Sequence, residues 1–493
     1  MITTETTSAE IEAVYDKARR AQLPWSQLPV KERVRYLHEL QASVLEQRDS
    51  LCQVVSKDTG KPKLECLVTE VAPILDTIKY MQRNACSILN AHRVPTPPLL
   101  YGRRSSIEYM PRGVVLVISP WNYPLQLTVI PMISALVAGN TVIVKPSEVA
   151  GGVHQLIRQL FQHFPPDVVQ VVLGDGNLGA ALVDGGPDHI FFTGSIATGK
   201  AIQAQAARQL IPTTLELGGK DPMIVFADAN MERAVQGALW GSLTNCGQVC
   251  LSTERLYVEE AIYSTFMQKL VHEAKRLTQG SHSDCDLGTL TLPQQAHTLK
   301  EQILEALSQG AQICLGPTLD DLGKDQLSFP IILTGVTHNM KIMQEETFGP
   351  VLPIMSFTNT EEAIALANDA IYGLGASVWS SDLARANYVA SRLICGNVMI
   401  NDVLVSIANP HLPFGGTKQS GLGRYHSAAG LRTFCHEKAV MVSSGKYPKE
   451  LYWYPYKGKY PWFSQLIAGF YSRPRKLLTA LRSFMALQRE TRK

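Results

Sequence analysis

The stretch "GVVLVIS" at residues 113–119 is a continuous apolar run rich in β-branched residues, which is typical of a strand buried on both faces. Segments of helical length separate it from further runs of the same kind. Those runs are "TVIVK" (141–145), "VVQVVLG" (168–174), "HIFFTG" (189–194) and "TTLELGG" (213–219). Strands alternating with helices predict an α/β fold with a parallel, doubly wound sheet, which binds ligands at the carboxyl ends of its strands.

The segments on either side of this region extend the prediction. Residues 1–90 have apolar residues at helical spacing and are expected to form helices. A second α/β region begins at "PMIVFADAN" near residue 222 and runs to "GNVMIND" at 396–402. At 493 residues the chain is too long for one hydrophobic core, so we expect several domains.

Composition excludes several classes of protein. A hydrophobic content of 45% with 18% charged residues is typical of a globular protein. The nine cysteines are scattered and form no CxxC motif, so a disulfide framework is not expected. The N-terminus lacks the apolar core of a signal peptide. The apolar stretch from Leu127 is interrupted by Pro131 and Gly139, so it is not expected to span a membrane. We therefore expect a cytoplasmic protein, and no segment resembles a nucleic-acid-binding module.

The stretch "TGSIATGKA" imitates a phosphate-binding P-loop, with Gly194 followed after four residues by Gly199 and Lys200. A P-loop needs Ser or Thr next, because that hydroxyl binds Mg²⁺, and Ala201 has none. ATP chemistry is therefore not expected. A strand, a glycine turn and a helix start remain, and these suit either a pyrophosphate or an ordinary βα turn.

"NCGQVC" places two cysteines, Cys246 and Cys250, four residues apart. Zinc needs four ligands, and the flanks supply no histidine and no second cysteine pair, so no metal is expected. A disulfide is not expected in a reducing compartment. The two readings that remain are a reactive thiol and a small buried hydrophobic residue.

The surrounding motifs resemble those of the aldehyde dehydrogenase superfamily, in which the last cysteine of this segment is the nucleophile. They occur in the family's order over nearly the whole chain: "SPWNYPLQLTVIPMISALVAGNTVIVKPSE" (119–148), "FTGSIATG" (192–199), "LELGGKDP" (215–222), "NCGQVC" (245–250), "EETFGPVLP" (345–353) and "PFGGTKQSGLGR" (413–424). The short N-terminus and the "YH" after "SGLGR" resemble the branch of class 3 and fatty aldehyde dehydrogenases.

The resemblance implies oxidation of an aldehyde, lipophilic or of medium to long chain, to the carboxylic acid through a cysteine thiohemiacetal and thioester. Cys250 would be the nucleophile, and the Asn122 amide with the backbone N–H of the nucleophile would stabilise the oxyanion. Glu216 would activate the water that hydrolyses the thioester. Cys246 has no assigned role.

The resemblance also implies NAD or NADP as cofactor. Glu148, just past the second strand of the sheet, could accept hydrogen bonds from the adenosine ribose, which favours NAD, although relatives with this acid also use NADP. The cofactor-binding residues would be Trp121, Lys145, Ser147, Glu148, Gly194, Ser195, Gly199, Glu346 and Phe348.

The same resemblance suggests a domain plan. Residues 1–102 and 114–215 would form a Rossmann-type cofactor-binding domain and residues 216–402 an α/β catalytic domain. A small β arm with a strand pair in "RRSSIEYMPRG" (103–113), together with 403–445, would bridge subunits of a homodimer or higher homo-oligomer.

The tail, residues 446–493, differs from the rest of the chain. It carries eleven Lys and Arg against two Glu, a charge of +9 in a chain of net charge +3, and it is rich in aromatic residues. An apolar stripe and basic residues in "RPRKLLTALRSFMALQR" (473–489) predict an amphipathic helix. Two hypotheses stay open: peripheral contact with a membrane, or packing on the enzyme itself.

Two alternative functions remain. A coenzyme A-acylating aldehyde dehydrogenase is disfavoured because branches with that activity generally lack a glutamate at the position of Glu216. A catalytically silent scaffold protein of the same fold is disfavoured because Cys250, Glu216 and Asn122 are all present. The sequence does not identify the aldehyde.

Overall fold

The computed structural model describes residues 6–280, 285–317 and 330–492. Its α-helices are α1 (Ile11–Gln27), α2 (Val30–Thr59), α3 (Lys63–Cys66), α4 (Ala72–Leu89), α5 (Gln126–Ala138), α6 (Val153–Leu160), α7 (Gly176–Asp184), α8 (Ile196–Ala207), α9 (Met231–Leu243), α10 (Tyr263–Ala274), α11 (Gln295–Ser308), α12 (Lys341–Gln344), α13 (Thr360–Asn368), α14 (Leu383–Arg392), α15 (Ser427–Thr433), α16 (Tyr460–Tyr471) and α17 (Leu477–Arg492). Its strands are β1 (His92–Val94), β2 (Arg103–Pro111), β3 (Val114–Ile118), β4 (Thr141–Lys145), β5 (Val169–Val171), β6 (His189–Thr193), β7 (Thr213–Glu216), β8 (Asp221–Val225), β9 (Thr253–Glu259), β10 (Gln312–Leu315), β11 (Ile331–Thr334), β12 (Val351–Phe357), β13 (Gly375–Trp379), β14 (Asn397–Ile400), β15 (Gly421–Leu422) and β16 (Cys435–Ser443).

The described chain divides into two compact units. The first contains residues 6–90 and 109–437, and the second contains 91–108 and 438–492. The boundaries that the sequence suggests for the cofactor-binding domain, the catalytic domain and the bridging segments stay predictions.

The first unit contains a six-stranded sheet in the order β15-β7-β6-β3-β4-β5. Its strands run parallel except β15, which is antiparallel to β7. The chain places β4 and β5 on one side of β3 and then returns to place β6 on the other side. The carboxyl ends of β3 and β6 therefore border a topological switch point, where sheets of this kind bind ligands.

Burial explains why these strands could be predicted from apolar runs. Every residue of β4 and β6 is buried, as are Val114 to Val117 of β3, because helices cover both faces of the sheet. All thirteen residues of α5 are buried as well, and Gly139 ends the helix in a left-handed conformation. The apolar stretch from Leu127 is thus a core helix that leads into β4.

A seven-stranded sheet in the order β10-β11-β12-β9-β8-β13-β14 forms the other half of the first unit. All neighbouring strands are parallel except β10, which is antiparallel to β11. This sheet confirms the second α/β region expected near residues 222–402, and both sheets confirm the predicted α/β class.

The second unit contains a three-stranded sheet in the order β1-β2-β16 and the helices α16 and α17. The sequence predicted a strand pair within residues 103–113, and this was wrong. The segment forms one strand, β2, that pairs with β1, which lies shortly before it in sequence, and with β16, which lies far from it in sequence.

The predicted helix near the end of the tail is α17, but its apolar residues lie on two faces. Leu487 and Ala480 are buried against Leu466 of α16. Leu478 and Leu481 are 75% and 56% exposed, so the stripe read from the sequence is only partly covered within this unit. No described helix is both long enough and apolar enough to cross a membrane.

A buried histidine in β6 predicts a loss of stability in acid. Burial, together with the positive charges of Arg112 and His436, lowers the pKa of His189 from 6.5 to about 3. Below pH 6.5 the unfolded chain therefore binds a proton that the folded chain excludes, and stability falls as the pH falls towards 3.

We expect His189→Phe to reduce the decrease in melting temperature between pH 7 and pH 5. Phenylalanine removes the titrating ring, although it leaves the Thr214 hydroxyl without its hydrogen bond to His189 Nε2 (3.1 Å) and so lowers stability at both pH values. His272→Phe, at a side chain that is 75% exposed, is the control. An unchanged pH dependence in His189→Phe would contradict the prediction.

Candidate active site

A cavity of about 320 Å³ in the first unit lies where strands of both sheets begin or end. Its lining includes residues just after β3, β6 and β7 and residues just before β9 and β12. Eight of the predicted site residues line it: Trp121, Asn122, Gly194, Ser195, Glu216, Cys250, Glu346 and Phe348. The structure thus brings together residues spread over more than 220 positions of sequence.

The two cysteines of "NCGQVC" have different environments. Cys250 is partly exposed and lines the cavity. Cys246 is buried, and its thiol donates to the carbonyl of Gly288 (3.3 Å). Both are free thiols. Because Cys250 lines the cavity and Cys246 does not, only Cys250 is placed to meet a substrate there.

The turn that carries these cysteines has an unusual backbone. Asn245 and Cys246 have φ values of 50° and 58° in the left-handed region, and Gly247 follows with a φ of 71°. A Cβ at Gly247 would lie 2.2 Å from the carbonyl oxygen of Gly349, so only glycine fits this close approach. The "NCGQVC" turn and the "ETFGP" loop therefore pack directly against each other.

The Cys250 thiol is protonated at neutral pH in this environment. Burial raises its pKa above the usual value of 9.0, and the nearby carboxylates of Asp221, Glu216 and Glu346 raise it further. Attack by the thiolate therefore needs a group that accepts the proton.

Asn122 lies in the loop after β3, with its side chain buried. Its Nδ2 donates to the carbonyl of Gln248 (3.0 Å), two residues before Cys250. Its own carbonyl accepts from Asn245 Nδ2 (3.0 Å). The Asn122 amide is thus linked to the turn that carries the cysteine.

Glu216 is the last residue of β7 and is buried. Neither of its carboxylate oxygens has a hydrogen-bond partner among the described residues. Burial raises its pKa well above 4.5, and the opposing charge of Arg424 only partly offsets this. A buried carboxyl with free oxygens in a cavity can exchange a proton with a thiol or a water molecule.

The "ETFGP" loop is held by a buried ion pair that the sequence analysis missed. Glu254 accepts from the backbone N–H groups of Thr347 (2.7 Å) and Phe348 (2.8 Å) and from Lys220 Nζ (2.7 Å). Phe348 has a φ of 52°, which a non-glycine residue adopts only when its surroundings hold it there.

The loop also contributes an aromatic contact and an acid to the cavity. The Phe348 ring packs edge to face on Trp121, with centroids 5.6 Å apart. Glu346 Oε1 accepts from the backbone N–H of Gly219 (3.0 Å), and burial beside Glu254 raises the pKa of Glu346 to about 8.

The four other predicted cofactor residues do not line this cavity but lie at the end of β4, in the loop after it and in α8. Lys145 ends β4, and its Nζ donates to Glu148 Oε2 (3.0 Å). The Ser147 carbonyl bonds to His154 Nε2 (3.2 Å). Gly199 and Lys200 lie inside α8, so the "GK" of the stretch that imitates a P-loop is helical. A Cβ at Gly199 would lie 2.6 Å from the side chain of Leu217.

The residues around the switch point fit a dinucleotide. Ser195 is the N-cap of α8, its Oγ accepting from the backbone N–H of Thr198 (3.2 Å), and a helix N-terminus suits a pyrophosphate. The Lys145 and Glu148 side chains offer a donor and an acceptor to ribose hydroxyls. Glu216, whose carboxylate oxygens have no hydrogen-bond partner among the described residues, lines the cavity in which a reacting group would lie.

Eight further residues line the cavity and were not predicted as site residues. They are Pro120, Leu127, Thr193, Leu217, Gly218, Leu292, Gln295 and Thr298. The first five lie in the quoted motifs, whereas Leu292 lies just before α11 and Gln295 and Thr298 lie in it, where no quoted motif occurs. Among the residues that the structure describes, no group of three or more metal-ligating side chains could hold a metal ion.

The fold is that of the aldehyde dehydrogenases, and the chain belongs to the aldehyde dehydrogenase family, whose profile matches residues 2–440. The chain is 44% identical over 484 residues to the 4,4'-diapolycopene aldehyde oxidase of a Methylomonas species, covering 97% of this chain and 91% of that protein. It is 34% identical over 426 residues to the 4,4'-diaponeurosporen-aldehyde dehydrogenase of Staphylococcus aureus, covering 86% and 92%.

A solved structure agrees with these sequence matches. Betaine aldehyde dehydrogenase from Staphylococcus aureus in complex with NAD+ has a TM-score of 0.85 and 33% identity, covering 92% of this chain and 90% of that chain. The predicted family, fold class and enzyme class, an oxidoreductase acting on aldehydes, are confirmed. The predicted NAD or NADP is of the same cofactor class as the NAD+ in that structure.

Proposed function

We propose that this enzyme oxidises a lipophilic aldehyde to the carboxylic acid with NAD or NADP, through a thioester on Cys250. One observation carries the proposal: Cys250, Asn122 and Glu216 line one cavity at the strand ends of both sheets. A nucleophile, an amide donor and a buried carboxyl in one cavity are the groups that such a reaction requires.

Each residue has a defined part in the reaction. Cys250 loses its thiol proton to solvent water and its Sγ attacks the carbonyl carbon, and the Asn122 Nδ2 amide donates a hydrogen bond to the oxyanion that forms. Residues after β3, β4 and β6 and the "ETFGP" loop would hold NAD or NADP, which would accept the hydride that leaves this carbon. Glu216 then removes a proton from the water that hydrolyses the thioester and releases the acid.

The substrate class rests on the relatives and on the tail. The family profile ends at residue 440, whereas the match to the diapolycopene aldehyde oxidase covers 97% of this chain and so extends into the tail. That protein and the diaponeurosporen-aldehyde dehydrogenase are both named for long polyene aldehydes. The cavity offers Leu127, Leu217 and Leu292 to an apolar chain.

The test is reduction of NAD and NADP by purified protein with a panel of aldehydes. The panel contains a long polyene aldehyde, a long saturated aldehyde, an aromatic aldehyde and a short aliphatic aldehyde, each with and without coenzyme A. We expect the highest kcat/KM with the long aldehydes and the free acid as product. An acyl-coenzyme A product would support the acylating alternative, and inactivity with every aldehyde would support a silent scaffold.

We also propose a cytoplasmic homodimer or higher homo-oligomer, in which the arm, residues 103–113 with 403–445, contributes to the contact between subunits. In the second unit, strand β2 of this arm already pairs with β1 and β16. Light scattering at micromolar concentration should give at least twice the mass of 54.3 kDa. A monomer at that concentration would contradict the proposal.

The tail suits peripheral contact with an anionic membrane. Exposed apolar residues of α16 and α17 include Ile467, Tyr471, Leu477, Leu478, Leu481 and Met485. Arg475 and Arg482 are exposed beside them, and each cation near an anionic surface adds about 1 kcal/mol of attraction. Tyrosine and tryptophan side chains suit the lipid interface, and both occur in the tail.

We expect sedimentation with anionic liposomes that decreases with salt. Leu478→Glu combined with Leu481→Glu should abolish it, whereas Leu210→Glu, at a leucine 89% exposed elsewhere in the chain, should not. Truncation after Gly445 should abolish it too while activity on short aldehydes survives. If no liposome binding occurs and truncation destroys activity or the oligomer, the tail is structural instead.

A further inference from the structure

A second fully buried ion pair in the first unit joins Lys61 to Glu70. Lys61 Nζ donates to Glu70 Oε1 at 2.9 Å, and both side chains are 0% exposed. No motif in the sequence drew attention to either residue. Replacing a buried ion pair by neutral groups often leaves stability unchanged or increases it, so a contribution to stability does not explain why the pair is there.

Both members of the pair bind the loop that carries the oxyanion amide. Lys61 Nζ donates to the backbone carbonyl of Asn122 (3.0 Å) and lies 3.6 Å from the centroid of the Tyr123 ring. Glu70 Oε2 accepts from the backbone N–H groups of Leu125 (3.2 Å) and Gln126 (2.8 Å). The two charges thus hold the start and the end of the five-residue segment 122–126.

Local structure explains how these two side chains reach the loop. Gly60 ends α2 with a φ of 73°, which turns the chain so that Lys61 follows directly. Glu70 lies in a single π-helical turn, Leu67–Val71, between α3 and α4, and such turns are frequent at functional sites because they redirect a side chain. Residues 122–125 have no regular secondary structure and Gln126 begins α5, so the orientation of the loop depends on contacts from outside it.

We infer that Lys61 and Glu70 are positioning residues that hold the Asn122 amide where the oxyanion forms. The inference rests on the proposed function, in which Asn122 donates to that oxyanion. Lys61 and Glu70 do not line the cavity and act only through the loop. Loss of the pair should therefore lower kcat because the Asn122 amide is no longer held in place, and its effect should depend on the Asn122 side chain.

A double-mutant cycle tests this dependence. The variant Lys61→Met with Glu70→Gln removes both charges together, leaves no unpaired ion, and keeps a side-chain oxygen for the N–H groups of Leu125 and Gln126. Removing an oxyanion donor outright costs about 10²–10³-fold in kcat, so misplacing it should cost about tenfold or more. In an Asn122→Ala background the same double substitution should change kcat by less than about twofold.

Two controls separate positioning from general damage. The rate at which iodoacetamide alkylates Cys250 should be unchanged by the double substitution, because displacement of iodide creates no oxyanion. If the double variant fails to fold, Glu70→Gln alone keeps Lys61 and both acceptor contacts and should show a smaller loss with the same dependence on Asn122. Melting temperatures of all variants, with and without NAD, report on folding.

The outcomes distinguish this inference from the proposed function. If Asn122→Ala is impaired but loss of the pair lowers kcat equally in both backgrounds, the pair is structural and the inference is wrong. If Asn122→Ala keeps the wild-type kcat, the oxyanion role of Asn122 is itself wrong and the inference falls with it. A loss confined to the background with Asn122 supports both.

Discussion

Replacing Cys250 by serine is expected to lower turnover by about a thousandfold or more while the affinity for NAD or NADP stays nearly unchanged. Serine keeps the shape of the side chain but is a far poorer nucleophile at neutral pH. The residues proposed to bind the cofactor are untouched. Steady-state formation of NADH or NADPH with a long-chain aldehyde measures the turnover, and fluorescence titration measures the affinity.

Cys246→Ser is the matched control because it makes the same chemical change four residues away. The Cys246 thiol is buried and donates to the Gly288 carbonyl, and a serine hydroxyl can make that bond as well. Its turnover should stay within about twofold of the wild type, as for a mild substitution outside the site. Near-normal turnover in Cys250→Ser would show that Cys250 is not the nucleophile.

Replacing Glu216 by glutamine is expected to stop the reaction after the thioester has formed. Burial raises the pKa of Glu216 and so favours its neutral form, and a neutral amide of the same shape should therefore fold in its place. The expected result in a stopped-flow measurement is a burst of about one equivalent of NADH or NADPH per site, followed by almost no turnover. Absence of the burst would mean that Glu216 acts before hydride transfer.

The same substitution should change the pH dependence of the wild type. Burial raises the pKa of Glu216, so its ionised, basic form increases at higher pH than that of an ordinary glutamate. The kcat of the wild type should therefore increase with pH, since the Cys250 thiol, whose pKa is also raised, ionises in the same direction. The residual kcat of Glu216→Gln should lack the part of this increase that is due to hydrolysis of the thioester.

Much of the fold could be predicted because a parallel sheet leaves a strong local signal. Strands β3, β4 and β6 are buried on both faces, so their sequences are unbroken apolar runs. The arm could not be predicted in this way, since β2 pairs on one side with β16, which is far away in sequence, and on the other with β1, a strand of three residues that leaves no pattern of its own. In the tail, one apolar stripe predicted the helix but not which of its leucines would be covered.

The candidate site, like the fold, could be predicted from the sequence only in part. Asn122, Glu216 and Cys250 lie in motifs that resemble the family's, and the structure brings them to one cavity, where their roles stay predictions. Lys61, Glu70 and Glu254 lie in none of these motifs, and the sequence gives no reason to single them out because a charged residue usually faces solvent. Only the three-dimensional structure shows that they are buried and hold the loops that carry Asn122 and Phe348.

Mass spectrometry tests most directly whether a thioester forms on Cys250. Glu216→Gln protein is incubated with a long-chain aldehyde and NAD or NADP and then quenched. Its intact mass is measured, and the modified peptide is then mapped. A thioester adds the mass of the aldehyde less two hydrogen atoms. We expect this adduct at one equivalent per chain, on the peptide that contains Cys250. The adduct should be absent when Cys250 is also replaced by serine. Turnover without any adduct, or an adduct on Cys246 or another residue, would contradict it.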